Sequence, residues 1–355
     1  MGSRVPGKPD GGGQDRGASV PQGAPFGSER VLLPAAALAY ALLGEPAAAG
    51  AAAAAWGLAL AADCGSVRTR SVRPPFWPWI PAGAAFAVFL AAFLAAEAFR
   101  GGSLDGADLS DSLQAALTCA VLLVPLGLPA AAAFLGRRAG ETPIHGVTEF
   151  QVSCCAGMSL AAAGAVLAGW IPPLTMGQAV WANAAGTALP GLALGLAPGG
   201  GEPLPARGSG KRAREAVSRI LIQGLLLAVL LLAVYRLGLA SAGDASRASA
   251  RARSLSFLVL ALVQAAEPFA GIRKAFRSGL GRFSVPGWGI RLGGCLAALS
   301  LAAAAFGIPA FRSLLGLEIP GLKELAGALA AAGIHAALRA ALPAVFASFR
   351  AFPRP

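Results

Sequence analysis

The sequence predicts an all-α fold, a polytopic transmembrane helix bundle of about ten spans, and three observations predict it. Of the 355 residues, 56% are hydrophobic and 13% charged, against roughly 45–50% and about 25% in soluble domains. The apolar residues arrive in long blocks rather than in alternation, the pattern of helices that cross hydrocarbon. The formal net charge of +12 sits in short basic runs between those blocks. That is the positive-inside signature of a membrane protein and not a nucleic-acid footprint.

Residues 1–29 are rich in Gly, Pro, Ser, Asp and Arg and have no apolar period, so they read as a disordered cytoplasmic tail. No compact apolar region with a small-residue cleavage site follows them, as a signal peptide would require. Each later block is judged against the roughly 20 residues a helix needs to span the bilayer. The first two, 31–43 and 47–62, are Ala-rich and hinge at Gly44-Glu45-Pro46. The third runs 78–99, with Trp77 and Trp79 as interface anchors. The fourth, 113–135, is interrupted by Pro125-Leu126-Gly127-Leu128-Pro129. Spans five (150–170) and six (175–197) are joined through Ile171-Pro172-Pro173, room only for a hairpin. Spans seven to ten follow at 217–240, 253–271, 286–307 and 322–347.

An even number of spans places both termini on one side. Arg68, Arg70, Arg73, Arg137, Arg138, Lys211, Arg212, Arg214, Arg219, Arg273, Lys274, Arg277, Arg282, Arg350 and Arg354 all fall on that face, which makes it cytoplasmic. The opposite face carries Asp105, Asp108 and Asp111 and the mixed stretch Asp244–Arg253, whose Arg247, Arg251 and Arg253 fit the rule poorly. The acidic trio is either a cation-attracting rim or a solvated loop with Ser110 or Asp111 capping the fourth span. The expected location is the plasma (inner) membrane. The domain organisation is a tail over 1–29, spans one to four over 30–149, spans five to ten over 150–348 and a cytoplasmic tail over 349–355.

Polar residues inside spans are the functional candidates. Two prolines and a glycine in the fourth span free backbone carbonyls at membrane depth, which is tolerated where they line a site or pack on protein. Glu267 stands one helical turn after Gln264, beside Pro268. It is either a functional carboxylate or a helix-end residue paired with Arg273. His335 and Arg339 lie four apart on one face of the last span, as a proton relay or as a polar seam. Cys154 and Cys155 point about 100° apart on a helix and make poor joint ligands; small buried hydrophobes are their expected role.

Four sequences recur in order along the spans. They are the Pro-x-Gly-Leu-Pro break with its following Arg-Arg pair, the stretch Leu174-Thr175…Gln178…Trp181-Ala182-Asn183…Leu189-Pro190-Gly191, the opening Arg219-Ile220-Leu221-Ile222-Gln223-Gly224, and the run Ala252–Phe257 with Leu260 and Gln264. Taken together they resemble the membrane domain of P-type cation-transporting ATPases, the ten-span subclass that includes calcium pumps. The likeness covers most of 30–348 and is strongest over 150–282.

The resemblance implies ion-pathway positions, and most have lost their charge. The family's fourth-span Pro-Glu-Gly-Leu-Pro glutamate coordinates the cation; here it is Leu126, between Pro125 and Gly127-Leu128-Pro129. The fifth-span Asn and Glu align with Cys155 and Met158, through Gly157 and Gln178. In the sixth span Asn183 is kept and the aspartate has become Thr187, while the eighth-span Glu or Gln is kept as Gln264. With Glu267 these are the candidate vestigial pathway residues. A divalent cation asks for six to eight oxygens and usually several carboxylates, so the calcium-type site is expected to be dead.

The family's phosphorylated Asp-Lys-Thr-Gly, its Thr-Gly-Glu-Ser loop and its Gly-Asp-Gly-x-Asn-Asp magnesium site do not occur, and only 136–149 separates spans four and five. Phosphoryl transfer needs placed carboxylates, Mg²⁺ and a phosphate cradle, so no catalytic residue, cofactor or metal is expected. The expectation is a pseudo-pump, regulatory or scaffolding, or alternatively a bundle that still conducts a solute. Its partners would be the lipid bilayer with another membrane transporter or a soluble ATPase subunit, and not nucleic acid.

Overall fold

Runs of Ala, Leu and Val with few polar interruptions form helices throughout the described part of the chain. The computed structural model describes residues 36–39, 41, 53, 79–99, 106–123, 144–196, 210–241, 245–269 and 285–351. In chain order the helices are α1 (Trp79–Phe99), α2 (Gly106–Leu122), α3 (Ile144–Leu167), α4 (Met176–Leu196), α5 (Gly210–Ser241), α6 (Ala245–Ala266), α7 (Val285–Gly307), the short α8 (Pro309–Leu315) and α9 (Leu322–Ala351). A 3₁₀ turn, Glu267–Phe269, ends α6.

Six of these are long and apolar enough to cross a membrane: 146–167, 176–196, 217–241, 247–269, 287–307 and 322–342. They coincide with expected spans five to ten. The count of ten is not reached within the described residues. Apart from residues 36–39, 41 and 53, spans one and two lie outside them, as does the Pro125–Pro129 break, and spans three and four contribute the shorter apolar stretches Ala87–Ala96 and Ser112–Leu122.

Three boundaries differ from expectation. α2 begins at Gly106, so Ser110 and Asp111 sit inside the helix and do not cap it. α5 starts at Gly210, because Lys, Arg and Ala sustain helix outside the apolar core. α6 starts at Ala245, so Arg247, Arg251 and Arg253 occupy its first turns instead of a loop. Arg251 pairs with Glu324 of α9. Arg253 Nε donates to the Pro172 carbonyl at 3.1 Å, and Arg236 lies 4.4 Å over the Trp170 ring. Arg236, Arg251 and Arg253 thus each have a local partner independent of topology.

The core lies between α3, α5 and α6, where Met158, Leu231, Val259 and Leu260 are fully buried. α3 and α5 approach through glycine. A Cβ on Gly157 would stand 2.8 Å from Leu227 Cδ2 and 3.0 Å from the Gly224 carbonyl, and one on Gly224 would stand 3.1 Å from Ala156 Cβ. Dispersion between closely packed backbones replaces the hydrophobic drive that lipid removes. The α3–α4 hairpin closes on a capping box: Gln178 N donates to Thr175 Oγ1 (3.2 Å) and Thr175 N to Gln178 Oε1 (3.1 Å). Gln178 Nε2 then donates to the Leu315 carbonyl at 2.9 Å, tying the hairpin to α8.

Gly157→Ala is expected to lower stability in detergent by about 1–3 kcal/mol through overpacking. Gly293→Ala has nothing within 4 Å of the new methyl and gains helix propensity, so it should leave the thermal midpoint unchanged or raised. Thermal unfolding of the two variants side by side checks the contrast.

Candidate functional site

The site is built around an irregularity in α4. Residues Ala182–Gly186 form one π-helical stretch between α-helical halves, and Pro190 has no N–H to offer the carbonyl of Gly186 four residues back. π-bulges of this kind re-aim side chains and leave carbonyls loosely held. Within the stretch the Thr187 hydroxyl donates to the Asn183 carbonyl. The Asn183 side-chain oxygen accepts from the Cys155 thiol of α3 at 3.3 Å. Gln151 Nε2, also on α3, donates to the Thr187 carbonyl at 3.3 Å.

Gln264 enters from α6. Its amide oxygen lies directly on Gly186, where any Cβ would collide with it, so this glycine is required for the contact. The Cys154 thiol approaches the same amide without meeting hydrogen-bond geometry, and neither polar atom of Gln264 has a protein hydrogen-bond partner. Beside it is a cavity of about 10 Å³ lined by Trp181, Gly186, Phe257, Ala298 and Leu301, space for about one water molecule.

One turn along α6, Glu267 is 4% exposed and pairs with Arg339 of α9. Arg339 therefore takes the place expected of Arg273, which lies outside the described residues. At the same end of the bundle Arg219 of α5 grips Glu149 of α3 through Nε (2.9 Å) and Nη2 (3.1 Å), a bidentate fork. Ser153 Oγ donates to the Glu149 carbonyl at 2.6 Å and stands 3.2 Å from Gln223 Oε1. Arg291 of α7 donates to the Pro268 carbonyl, and Phe269 stacks near Trp288 with centroids 5.8 Å apart.

Residues 171–342 match the family model described as cation transporting ATPase, C-terminus. This segment, just under half of the chain, is similar to the C-terminal region of that family. The search among curated proteins finds no match.

Some of the expected residues meet and others do not. Cys155, Asn183 and Thr187 form one hydrogen-bonded chain, and Gln264 closes on the same π-helical stretch. Met158 does not join them; it is fully buried in the apolar core. Pro125, Leu126, Gly127 and Pro129 lie outside the described residues. Among the described residues no group of three or more His, Cys, Asp or Glu is placed to hold a metal ion. Sequence reasoning passed over Gln151, Ser153, Gln223 and the Glu149–Arg219 fork. The usable signal was helical spacing: Glu149 and Ser153 on one helix, and Arg219 and Gln223 on another, lie four residues apart and each pair shares a face.

Removing either partner of the Glu267–Arg339 pair should be strongly destabilising, because the survivor is a buried unpaired charge. Glu267→Ala and Arg339→Ala are each expected to cost about 3–5 kcal/mol, and the double variant clearly less than their sum. Denaturation of the three variants in one lipid mixture measures the coupling.

Proposed function

We propose that the chain is a catalytically inactive pump-like integral membrane protein that regulates or scaffolds a partner, either another membrane transporter or a soluble ATP-hydrolysing subunit. The observation that carries this reading is the state of the pathway oxygens. Where the resemblance places cation-binding carboxylates, the chain has Leu126, Met158 and Thr187, and Cys155 stands where it places an asparagine. The oxygens of Asn183 are engaged internally, its side chain by the Cys155 thiol and its carbonyl by Thr187. The nearby carboxylate, Glu267, is neutralised by Arg339. A divalent cation entering here would lose its hydration without gaining compensating charge.

The sequence supports the same reading on the catalytic side. Without the Asp-Lys-Thr-Gly phosphorylation sequence or a magnesium-binding loop, the chain has no carboxylate to accept a phosphoryl group and no cradle for the nucleotide. The basic runs on one face favour a plasma-membrane placement with both termini in the cytoplasm.

A second reading, conduction of a solute either uncoupled or driven by a separate ATP-hydrolysing chain, is favoured by one observation. Gln264 keeps both amide atoms unpartnered next to the π-helical stretch, as a polar lining would.

Purification in mild detergent, with mass spectrometry and an ATPase assay on the eluate, separates the two. The first reading expects stoichiometric recovery of a transporter or ATPase partner, and unchanged recovery when Asn183→Ala and Gln264→Ala are introduced. Conduction expects solute flux in liposomes that those two substitutions reduce at least tenfold. Recovery of the chain alone, with no flux, would remove both.

A further inference from the structure

A second pocket lies between α3, α5, α6 and α9, away from the π-helical stretch. Its polar lining is Ser153, Cys154, Gln223, Glu267, His335 and Arg339. His335 is 6% exposed, and its Nε2 faces this pocket without any protein hydrogen-bond partner. A buried imidazole nitrogen left unpaired in hydrocarbon-embedded protein forfeits the hydrogen bond it would have in water, with nothing in return. Such orphaned groups point to a ligand the protein supplies a place for.

Size and charge identify that ligand. The pocket holds about 10 Å³, about the room of one water molecule. The Glu267 carboxylate already faces the Arg339 guanidinium. An added cation would meet Arg339 and an added anion would meet Glu267, so neither gains net attraction. Glu149 is itself held by the Arg219 fork and brings no spare charge. A neutral molecule able both to donate and to accept satisfies what remains.

We propose that this pocket is a structural water site, in which one bound water hydrogen-bonds His335 Nε2 and links it to the polar groups of α3, α5 and α6. The water gives α9 a second polar tie to the core beside the Glu267–Arg339 pair. His335 and Arg339 are four residues apart, so both ties act on one face of the helix. The site stands independently of whether the chain moves a solute.

The protein has two histidines, His145 and His335, which permits a direct test. Full-length His145→Gln protein, labelled with ¹⁵N-histidine and reconstituted in lipid, presents one imidazole to solid-state NMR. The expected result is a hydrogen-bonded Nε2 that receives magnetisation from water protons. Filling the pocket by Ser153→Leu should abolish that transfer while the imidazole signal persists. Cys154→Leu applies the same test should the first variant fail to fold. Absence of water transfer to Nε2 in the unfilled protein would overturn the proposal. So would transfer that survives in a folded filled variant, or an Nε2 bonded directly to the Glu267 carboxylate.

Discussion

A polar atom inside the hydrocarbon has no solvent to turn to, and the arrangement of this bundle follows from that constraint. The backbone meets it by forming helices from end to end. Side chains meet it by pairing across helices, and most of those pairs join elements that apolar packing alone would leave loosely related. Ser159 Oγ donates to the Cys119 carbonyl at 2.8 Å and fixes α3 to α2. Gln178 fixes α4 to α8, and Glu318 N donates to Ser254 Oγ at 2.8 Å, setting the approach to α9 on α6. Where lipid is as apolar as leucine, such contacts specify register more than they add stability.

The dependence is greatest for the helices that bury least. In its apolar window α9 has only 11% of its residues buried within the protein and α7 has 17%, against 72% for the span through α6. α9 is nevertheless held at both ends by ion pairs, Arg251 with Glu324 and Glu267 with Arg339. An exposed pair contributes little, but the second has its carboxylate buried and penalises any displacement that separates its charges. It acts as a register device, comparable to a single buried polar residue in a coiled coil.

Spans five to ten were legible in the sequence because each is a long apolar block bounded by Pro, Gly or basic residues. Their ends were not, since Lys211 to Ser218 and Ala245 to Ala252 continue the helix without being apolar. Hydropathy detects the bilayer, whereas helix propensity decides where the helix stops. Within the site, Asn183, Thr187 and Gln264 were legible through the order of motifs and do converge. The partner of Glu267 was not: Arg273 is nearer in sequence, and only tertiary packing brings α9, 72 residues on, against the end of α6. The π-helical stretch was equally hidden, because Ala-Asn-Ala-Ala-Gly carries no residue that forbids an ordinary α turn. Cys155 and Gln264 contact the stretch from other helices, and Pro190 follows it on its C-terminal side.

Gln264 and Glu267 show how little separates a coordinating helix from a packing one. They lie three residues apart on α6 and both point into the bundle, one onto Gly186 and the other onto Arg339. A carboxylate at the second position could assist a cation at the first only if it kept its charge free. Arg339 holds that charge, so the carboxylate at the end of α6 is committed to α9. Asn183 and Thr187 on α4 and Glu267 at the end of α6 are each engaged inside the bundle, Asn183 by the Cys155 thiol, Thr187 by the Asn183 carbonyl and Glu267 by Arg339, so the contacts of this polar layer tie α3, α4, α6 and α9 to one another.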